Sequence, residues 1–417
     1  MKTAAGEGRR KAAVAFIFIT VTLDMVANGV IGPVWPNLIK GFLGGDTSRS
    51  AVVFGVFSTV FAAAQILSAP ILGSLSDRYG RRPVILISCV GLGIDYIIMA
   101  AAPNLAWLFV GRILAGITSA NMSTAGAYIA DVTPPEKRAA AYGMLSAAFG
   151  VGFIVGPMLG GLLGQLGPRV PFWVAAGLTF ANAAYGFFVL PESLAPQNRP
   201  KLSLHMANPF ATMGMLASSA QLLGLSAINF MARLVHAIFA VVWSLYVADR
   251  FNWGPGMIGV SLAVVGASSL VVSAGLVRPT VARLGERRTM ALGLFFGAAG
   301  FVALGLATQG WIFLAAIFVL CLWGLATPCI QSFMTRLVRP DEQGRLQGAM
   351  TGLTSIAGLI GPALFAAPFA FATTPAHRVE GLLGLPFFLA GALMLVSVII
   401  AWRVTRPESE VVQPADA

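Results

Sequence analysis

The sequence predicts an all-α integral membrane protein in which twelve transmembrane helices form two homologous six-helix bundles. Three observations support this prediction. The 417 residues are 57% hydrophobic and only 10% charged, whereas soluble domains carry about 25% charged residues. Apolar runs of about 20 residues, the length at which a helix crosses a bilayer, recur along the chain. The two halves of the chain also repeat each other at a constant spacing.

Charged residues and Pro/Gly breaks delimit the twelve apolar spans. They lie near 12–36, 51–73, 83–102, 105–130, 139–165, 171–190, 218–247, 256–278, 289–307, 310–334, 346–370 and 382–402. The first span follows the basic segment MKTAAGEGRRK and therefore looks like a signal peptide. It contains Asp24, however, and no small-residue cleavage site stands out, so we expect a retained first helix.

The positions of lysine and arginine predict that both termini lie in the cytoplasm. Of the 27 basic residues, only five fall in the predicted external loops, and two, Arg112 and Arg233, fall within spans. The others lie in predicted cytoplasmic segments, as the positive-inside rule requires. The net charge of +11 is thus explained by membrane orientation, and we expect no nucleic-acid partner. The three cysteines lie inside spans without metal-ligand spacing, so neither a metal nor another cofactor is predicted.

The polar connection at 191–217 divides the spans into six and six. Adding 205 to five residue numbers of the first half gives the same residue type in the second: Gly80 and Gly285, Arg82 and Arg287, Gly143 and Gly348, Gly156 and Gly361, Pro157 and Pro362. A constant offset indicates parallel internal repeats, which place a substrate site near the bilayer midplane between the halves. We therefore predict bundles at 1–190 and 218–405, a cytoplasmic linker at 191–217 and a cytoplasmic tail at 406–417.

Three motifs resemble those of the major facilitator superfamily. GSLSDRYGRRP (73–83) is similar to that family's loop between the second and third helices, matching it at Gly73, Leu75, Asp77, Arg78, Gly80, Arg81 and Arg82. Arg112 with Gly116 resembles the Arg-x-x-x-Gly motif of the fourth helix. GVGFIVGPMLGG (150–161) resembles the glycine–proline motif of drug–proton antiporters.

Several longer segments resemble the tetracycline-efflux branch of that superfamily, among them LDMVANGVIGPVWPNL (23–38) and QGRLQGAMTGLTSIAGLIGPALF (343–365). The resemblance implies the superfamily fold, efflux by rocker-switch alternating access and coupling to protons. It also implies a bacterial inner-membrane protein that works as a monomer. The chain departs from that branch at Gly297, Ser269, Ser273, Arg233 and His236. These departures leave open whether tetracycline is the substrate and how many protons are exchanged.

Ionisable residues at membrane depth mark ion or substrate pathways by default. Asp24 lies mid-span, where loss of water favours its neutral form, so we predict that it loads and releases protons. Asp95 is predicted to act in proton coupling and substrate passage. Arg112 cannot lose its proton, so we expect it to hold a carboxylate, with Asp24 as the first candidate. For each residue, a structural ion pair or hydrogen bond is the alternative.

Arg233 and His236 are three residues apart and so share one helix face. They would bring positive charge to a central cavity and attract an anionic or zwitterionic substrate; the alternative is that Arg233 pairs with Asp95 or a helix end. Ligand cavities combine apolar walls with a few polar groups. The predicted substrate-binding residues are Asn28, Gln65, Asp95, Asn121, Arg233, His236, Trp243 and Gln331.

A set of loop and glycine residues is predicted to serve gating. Asp77 has no acidic counterpart in the second half, because 205 residues on lies Ala282. We therefore expect Asp77 and Arg78 to form a cytoplasmic latch between the halves. Small residues around Pro157 would let helices approach closely. The predicted gating residues are Gly73, Asp77, Arg78, Gly80, Arg81, Arg82, Gly156, Pro157 and Gly160.

No arrangement in the sequence suggests an enzyme, and no Walker motif that would bind ATP occurs. The leading hypothesis is a proton-coupled exporter of an amphipathic, drug-like molecule, whose partners are that small molecule, protons and the lipid bilayer. A first alternative is a transporter of a small anionic metabolite, favoured by Arg233 and His236. A second alternative is a membrane sensor that transports nothing.

Overall fold

The computed structural model describes residues 2–119, 121–134, 138–194, 197, 199, 213–339, 342–377 and 380–405. All regular secondary structure in these residues is helical. The predicted linker is described only in part, and the predicted tail at 406–417 lies outside the described residues. Helices are the expected solution for such an apolar chain, because each helix satisfies its own backbone hydrogen bonds without water.

Sixteen α-helices follow one another in the described residues. They are α1 (Lys2–Ile31), α2 (Trp35–Phe42), α3 (Thr47–Tyr79), α4 (Arg81–Ala101), α5 (Leu105–Thr118), α6 (Asn121–Val132), α7 (Arg138–Gln165), α8 (Val170–Val189), α9 (Ala220–Val241), α10 (Trp243–Phe251), α11 (Pro255–Val271), α12 (Val277–Leu306), α13 (Gly310–Cys321), α14 (Ala326–Arg336), α15 (Gln343–Thr373) and α16 (Leu385–Val404).

Ten helical stretches of the described chain are long and apolar enough to cross a membrane. One of them, Pro255–Leu306, has 52 residues and joins α11 to α12. It is broken at Gly285, where φ is 75°, so it accounts for two predicted spans. The predicted fourth span is divided between α5 and α6. All twelve predicted spans thus correspond to helices, and the predicted all-helical membrane fold is confirmed.

The helices group into two compact units. Unit 1 comprises Met1–Asn208, Ile238–Ala267 and Pro362–Leu383, and unit 2 comprises Pro209–Ala237, Ser268–Gly361 and Gly384–Ala417. Three of the unit boundaries fall inside helices, namely α9, α11 and α15. The division into bundles at 191–217 follows the sequence repeat and remains a prediction.

The repeat has a local structural counterpart at two glycines. Gly80 ends α3 and begins α4 with a φ of 108°, and Gly285 interrupts α12 with a φ of 75°. Residues with a side chain rarely adopt positive φ, because the Cβ atom crowds the backbone. The same sharp turn therefore recurs 205 residues later, with a glycine at each site.

Unit 1 is held together by a close crossing of α1 and α7. A Cβ atom at Gly29 would lie 2.8 Å from the Gly152 carbonyl oxygen and 2.9 Å from the Gly156 Cα atom. A Cβ atom at Gly160 would overlap the carbonyl oxygen of Val30. These glycines let two backbones pack directly together, which is how membrane helices gain packing energy.

Candidate functional site

A buried ion pair occupies the interior of unit 1. The Arg112 guanidinium on α5 donates to Oδ2 of Asp95 on α4. The Asp95 side chain is 0% exposed and that of Arg112 is 11% exposed. Gly111 makes room for the pair, since a Cβ atom there would lie 2.6 Å from Asp95 Oδ1. An ion pair is thus buried between two neighbouring helices, α4 and α5, and shielded from water.

Aromatic and sulfur groups surround the arginine of this pair. The Arg112 guanidinium carbon lies 5.1 Å from the ring centre of Trp35 and 5.7 Å from that of Phe61. The guanidinium also approaches the Met99 sulfur at 2.9 Å. Cation–π contacts of this kind stabilise a desolvated arginine by about 2 kcal/mol. The surroundings therefore favour a charged, immobile Arg112 that orients the carboxylate.

Asp24, the first candidate partner of Arg112, is not the residue with which Arg112 pairs. Asp24 is buried on α1, at 6% exposure, and Tyr96 interacts electrostatically with both Asp24 and Asp95. Asn28, one helical turn after Asp24, is exposed. The sequence could not distinguish the two acids as partners of Arg112, because the choice depends on how α1, α4 and α5 pack together.

The other predicted substrate residues of unit 1 lie in different surroundings. Gln65 is half-buried on α3 and donates its amide to the Ser119 hydroxyl at 2.9 Å. Trp243 is fully buried, and its indole donates to the Ser261 hydroxyl at 2.9 Å. Trp243 thus lies buried within unit 1, and its part in substrate binding remains a prediction. The side chain of Asn121 lies outside the described residues.

A polar cluster surrounds the α3–α4 turn. Arg81 pairs with Asp77 one turn earlier and with Asp131 at the end of α6, at 3.1 Å. It also donates to the Ser76 hydroxyl at 3.1 Å. Arg81 is therefore the centre of the charged loop motif, and it ties the turn to α6.

Glu192, which the sequence analysis missed, completes this cluster. Its carboxylate accepts from the backbone N–H groups of Arg81 at 2.9 Å and Arg82 at 3.3 Å. These are the first N–H groups of α4, which have no partner within the helix. Ser193 donates to Asp131 at 3.0 Å. An acid directly after the sixth span was the available signal, although its target could not be read from the sequence.

The remaining predicted gating residues of this loop have other neighbours. Arg82 donates to the Phe187 carbonyl oxygen and lies over the Phe187 ring at 5.6 Å. Arg78 is exposed and lies over the Tyr79 ring at 5.4 Å. A Cβ atom at Gly73 would meet nothing within 4 Å, so close packing does not account for that glycine.

Unit 2 repeats one ion pair of this cluster with its charges exchanged. Adding 205 to Arg81 and Asp131 gives Glu286 and Arg336, and these two side chains form an ion pair. The Ser332 hydroxyl also donates to Glu286, at 3.0 Å. The same two helix ends are joined in both repeats, with acid and base reversed. The 205-residue offset could have revealed this pair in the sequence.

Unit 2 contains a cavity of about 210 Å³. Faces of α9, α14 and α15 form its walls. The lining residues are Asn229, Arg233, Thr327, Ile330, Gln331, Met334, Thr335, Leu346, Gln347, Met350, Thr351 and Thr354. Two predicted substrate-binding residues, Arg233 and Gln331, are thus brought together on one cavity.

His236 lies one helical turn beyond Arg233, and its ring centre is 6.1 Å from that of Trp323. Trp323 also packs against Gly297, one of the residues at which the chain departs from the tetracycline-efflux pattern. A Cβ atom at Gly297 would lie 3.2 Å from the Cβ and Cγ atoms of Trp323. Any larger side chain at 297 would therefore require the tryptophan to shift. Ser269 contacts the Cys321 sulfur at 3.6 Å.

The described residues contain no group of three or more His, Cys, Asp or Glu side chains arranged to hold a metal ion. The chemistry that the described side chains offer is of two kinds. Unit 1 offers buried carboxyl groups that can exchange protons, and unit 2 offers a polar cavity with a cation on its wall.

Comparison with known proteins identifies the family to which this chain belongs. The family model of the Major Facilitator Superfamily matches residues 17–362 and 225–417. The tetracycline resistance protein, class C, of Escherichia coli is 39% identical over 377 residues, which are 90% of this chain and 94% of that protein. The class H protein of Pasteurella multocida is 34% identical over 97% of this chain and 100% of its own.

A solved structure supports the same fold. The crystal structure of a D-xylose-proton symporter matches with a TM-score of 0.76 at 16% identity, covering 96% of this chain and 98% of that one. At that identity the match concerns the fold alone. Proteins of the matched family are transporters and not enzymes. The chain therefore belongs to the Major Facilitator Superfamily, as a multi-pass membrane transporter related to the tetracycline resistance proteins of bacteria.

Proposed function

We propose that this transporter exports an amphipathic, drug-like molecule from the bacterial cytoplasm in exchange for protons. The observation that carries the proposal is the buried Asp95–Arg112 pair, which lies in the same unit as a second buried acid, Asp24. Ionisable groups are expensive at membrane depth and by default belong to an ion or substrate pathway. The relationship to tetracycline resistance proteins supports the outward direction of transport.

The two acids take different roles in the proposed cycle. Arg112 stabilises the carboxylate of Asp95 and keeps its own proton throughout. Asp24 is the acid that binds a proton from the outside, because it is buried within the first span and ionisable groups at that depth by default mark ion pathways. It releases the proton to the cytoplasm as substrate is handed outward.

The charged cluster at the α3–α4 turn is proposed to control the conformational cycle. Asp77 and Asp131 share Arg81, and Glu192 holds the start of α4. Such a network has two discrete states, made or broken, which suits a latch in alternating access. Asp77→Asn should then slow turnover and leave substrate affinity much less affected. A loss of affinity with normal turnover would count against the latch.

A second candidate function is transport of a small anionic metabolite. Arg233, the single charged residue on the described lining of the unit 2 cavity, favours it. The two candidates differ in what they move. A drug exporter acts on amphipathic compounds, whereas a metabolite transporter prefers small hydrophilic anions.

Resistance in a drug-hypersensitive bacterial host tests the leading proposal. Expression should raise the tolerated concentration of at least one compound in a panel containing tetracycline, ethidium and an amphipathic organic acid. Asp24→Asn should abolish this resistance at unchanged protein levels in the membrane, because the variant cannot exchange a proton. Glu342→Gln is the matched control, since Glu342 pairs with exposed Arg345 far along the chain from both buried acids.

Resistance that survives Asp24→Asn at the wild-type level would exclude Asp24 as the coupling acid. Wild-type protein that is present in the membrane but confers no resistance to any compound would contradict drug export. It would favour the metabolite transporter or a membrane sensor that transports nothing.

The proposed location is the bacterial inner membrane, with a monomeric chain and both termini in the cytoplasm. The excess of arginine in one set of loops supports this orientation. The three native cysteines are buried, so introduced cysteines can be labelled selectively. A membrane-impermeant maleimide should label Arg250→Cys but not Glu342→Cys in intact cells. The reverse pattern would invert the topology.

A further inference from the structure

We propose that the cavity in unit 2 binds the anionic group of the substrate, so that the transported class is an amphipathic organic anion such as an apolar carboxylate. This inference deepens the proposed export function, on which it rests for the use of the cavity as a substrate site. Arg233, Asn229 and the apolar wall opposite them carry the argument.

Three helix faces assemble the polar part of this cavity. On α9, Asn229 and Arg233 are one turn apart and share a face. On α14, Thr327, Gln331 and Thr335 repeat at the same spacing. The cavity therefore has regular helical walls, a rigid arrangement that suits selective binding.

Arg233 has no counter-ion in the described part of unit 2. The acids of this part are Glu286 and Glu342, and each is paired with another arginine, Arg336 or Arg345. Arg233 itself makes no hydrogen bond or ion pair with any described residue, and it is exposed on the cavity lining. A guanidinium offers five N–H donors in a fork that matches carboxylate and phosphate groups. Among the described residues of unit 2, the open side of Arg233 therefore faces no anion.

A second donor beside Arg233 is also unsatisfied. The Asn229 side-chain nitrogen is buried and finds no acceptor among the described residues. Three of the four lining threonine hydroxyls, in contrast, already donate to their own helices: Thr335 to Ser332, Thr351 to Gln347 and Thr354 to Met350. The buried donor of Asn229 thus lies one helical turn from the Arg233 guanidinium on α9, where one acceptor-rich group would satisfy both.

The internal repeat indicates that this polarity is specific to unit 2. Adding 205 to Asp24 and Asn28 gives Asn229 and Arg233. The first repeat therefore has an acid and an amide on this face of the helix, and the second has an amide and a base. The equivalent helix face thus carries the proposed proton-binding residue Asp24 in the first repeat and the proposed anion-binding residue Arg233 in the second, at positions one turn apart.

The rest of the cavity wall is apolar, with Ile330, Met334, Leu346 and Met350 on α14 and α15. A small hydrophilic anion would leave this surface uncovered, whereas an organic acid with an apolar body would bury it. Methionine side chains adapt to irregular apolar ligands. The cavity consequently fits an amphipathic anion, and the charge of Arg233 disfavours amphipathic cations.

Equilibrium dialysis of the protein in lipid nanodiscs tests the inference without requiring transport. The probes are anthracene carboxylate and its neutral carboxamide, which share one ring system. Wild-type protein should bind the carboxylate more tightly than the carboxamide. Arg233→Gln should weaken carboxylate binding about tenfold or more, the effect of losing a charge-assisted hydrogen bond, and should change carboxamide binding less than about twofold.

Two further variants sharpen the test. Arg233→Lys keeps the charge but loses the planar fork, so it should retain part of the preference for the carboxylate. Arg278→Gln removes one exposed arginine of the same unit that does not line the cavity, and it should bind both probes as the wild type does.

The proposal is overturned if wild-type protein binds the two probes equally or binds neither. It is also overturned if Arg233→Gln weakens both probes alike, because Arg233 would then support the cavity and not recognise charge. Failure of the export proposal has a different signature. In that case charge-selective binding persists in nanodiscs, while the protein confers no resistance and Asp24→Asn changes nothing.

Discussion

At the level of single residues, the charged side chains inside membrane-spanning helices are the energetically most costly feature of this structure. Asp95 is fully buried and Arg112 nearly so, and each is tolerated because the other is present. Breaking a buried pair by removing one partner is strongly destabilising, by about 3–5 kcal/mol, whereas replacing both partners with neutral groups is often neutral. This asymmetry separates a structural role from a functional one.

A thermal-unfolding comparison in detergent uses that asymmetry. Asp95→Asn and Arg112→Gln should each lower the Tm markedly, because each leaves a buried charge without its partner. The double variant should recover most of the Tm, because no uncompensated charge remains. It should nevertheless fail to transport if the charges serve coupling. A double variant as unstable as the worse single variant would show that packing, not charge, dominates at this site.

At the scale of helices, glycine positions determine which spans can pack closely. Gly160→Ala should destabilise unit 1, because the new Cβ atom would overlap the Val30 carbonyl oxygen on α1 and the two helices would have to separate. Gly150→Ala on the same helix is the matched control, since a Cβ atom there meets nothing within 4 Å. The readout is the Tm of each purified variant. Equal values for the two would contradict the close α1–α7 crossing.

The two exchanged ion pairs provide a second test at this scale. Arg81 is 12% exposed and joins Asp77, Asp131 and Ser76, whereas Arg336 is 60% exposed in its pair with Glu286. Exposed pairs contribute only about 0–1 kcal/mol. Arg81→Gln should therefore lower the Tm by more than Arg336→Gln does. A larger effect of Arg336→Gln would mean that exposure does not govern the strength of these helix-end pairs.

For the whole molecule, the sequence predicted the elements better than their contacts. Span positions and the buried charges are readable because hydropathy and composition are local properties of the chain. The repeat is readable because equivalent residues lie a constant 205 residues apart. The sequence does not reveal which acid pairs with Arg112 or that Glu192 caps α4. Both contacts depend on how the helices pack, which no short sequence pattern encodes.

We propose that substrate and protons move in opposite directions through this molecule. The test uses proteoliposomes with an acidic lumen. A dye trapped inside reports the lumen pH while tetracycline, ethidium or anthracene carboxylate is added outside. We predict that at least one compound makes the lumen pH rise faster than it does in protein-free vesicles. Asp24→Asn should abolish this rise in lumen pH. Substrate uptake that leaves lumen pH unchanged, or an Asp24→Asn variant that discharges the gradient like the wild type, would contradict it.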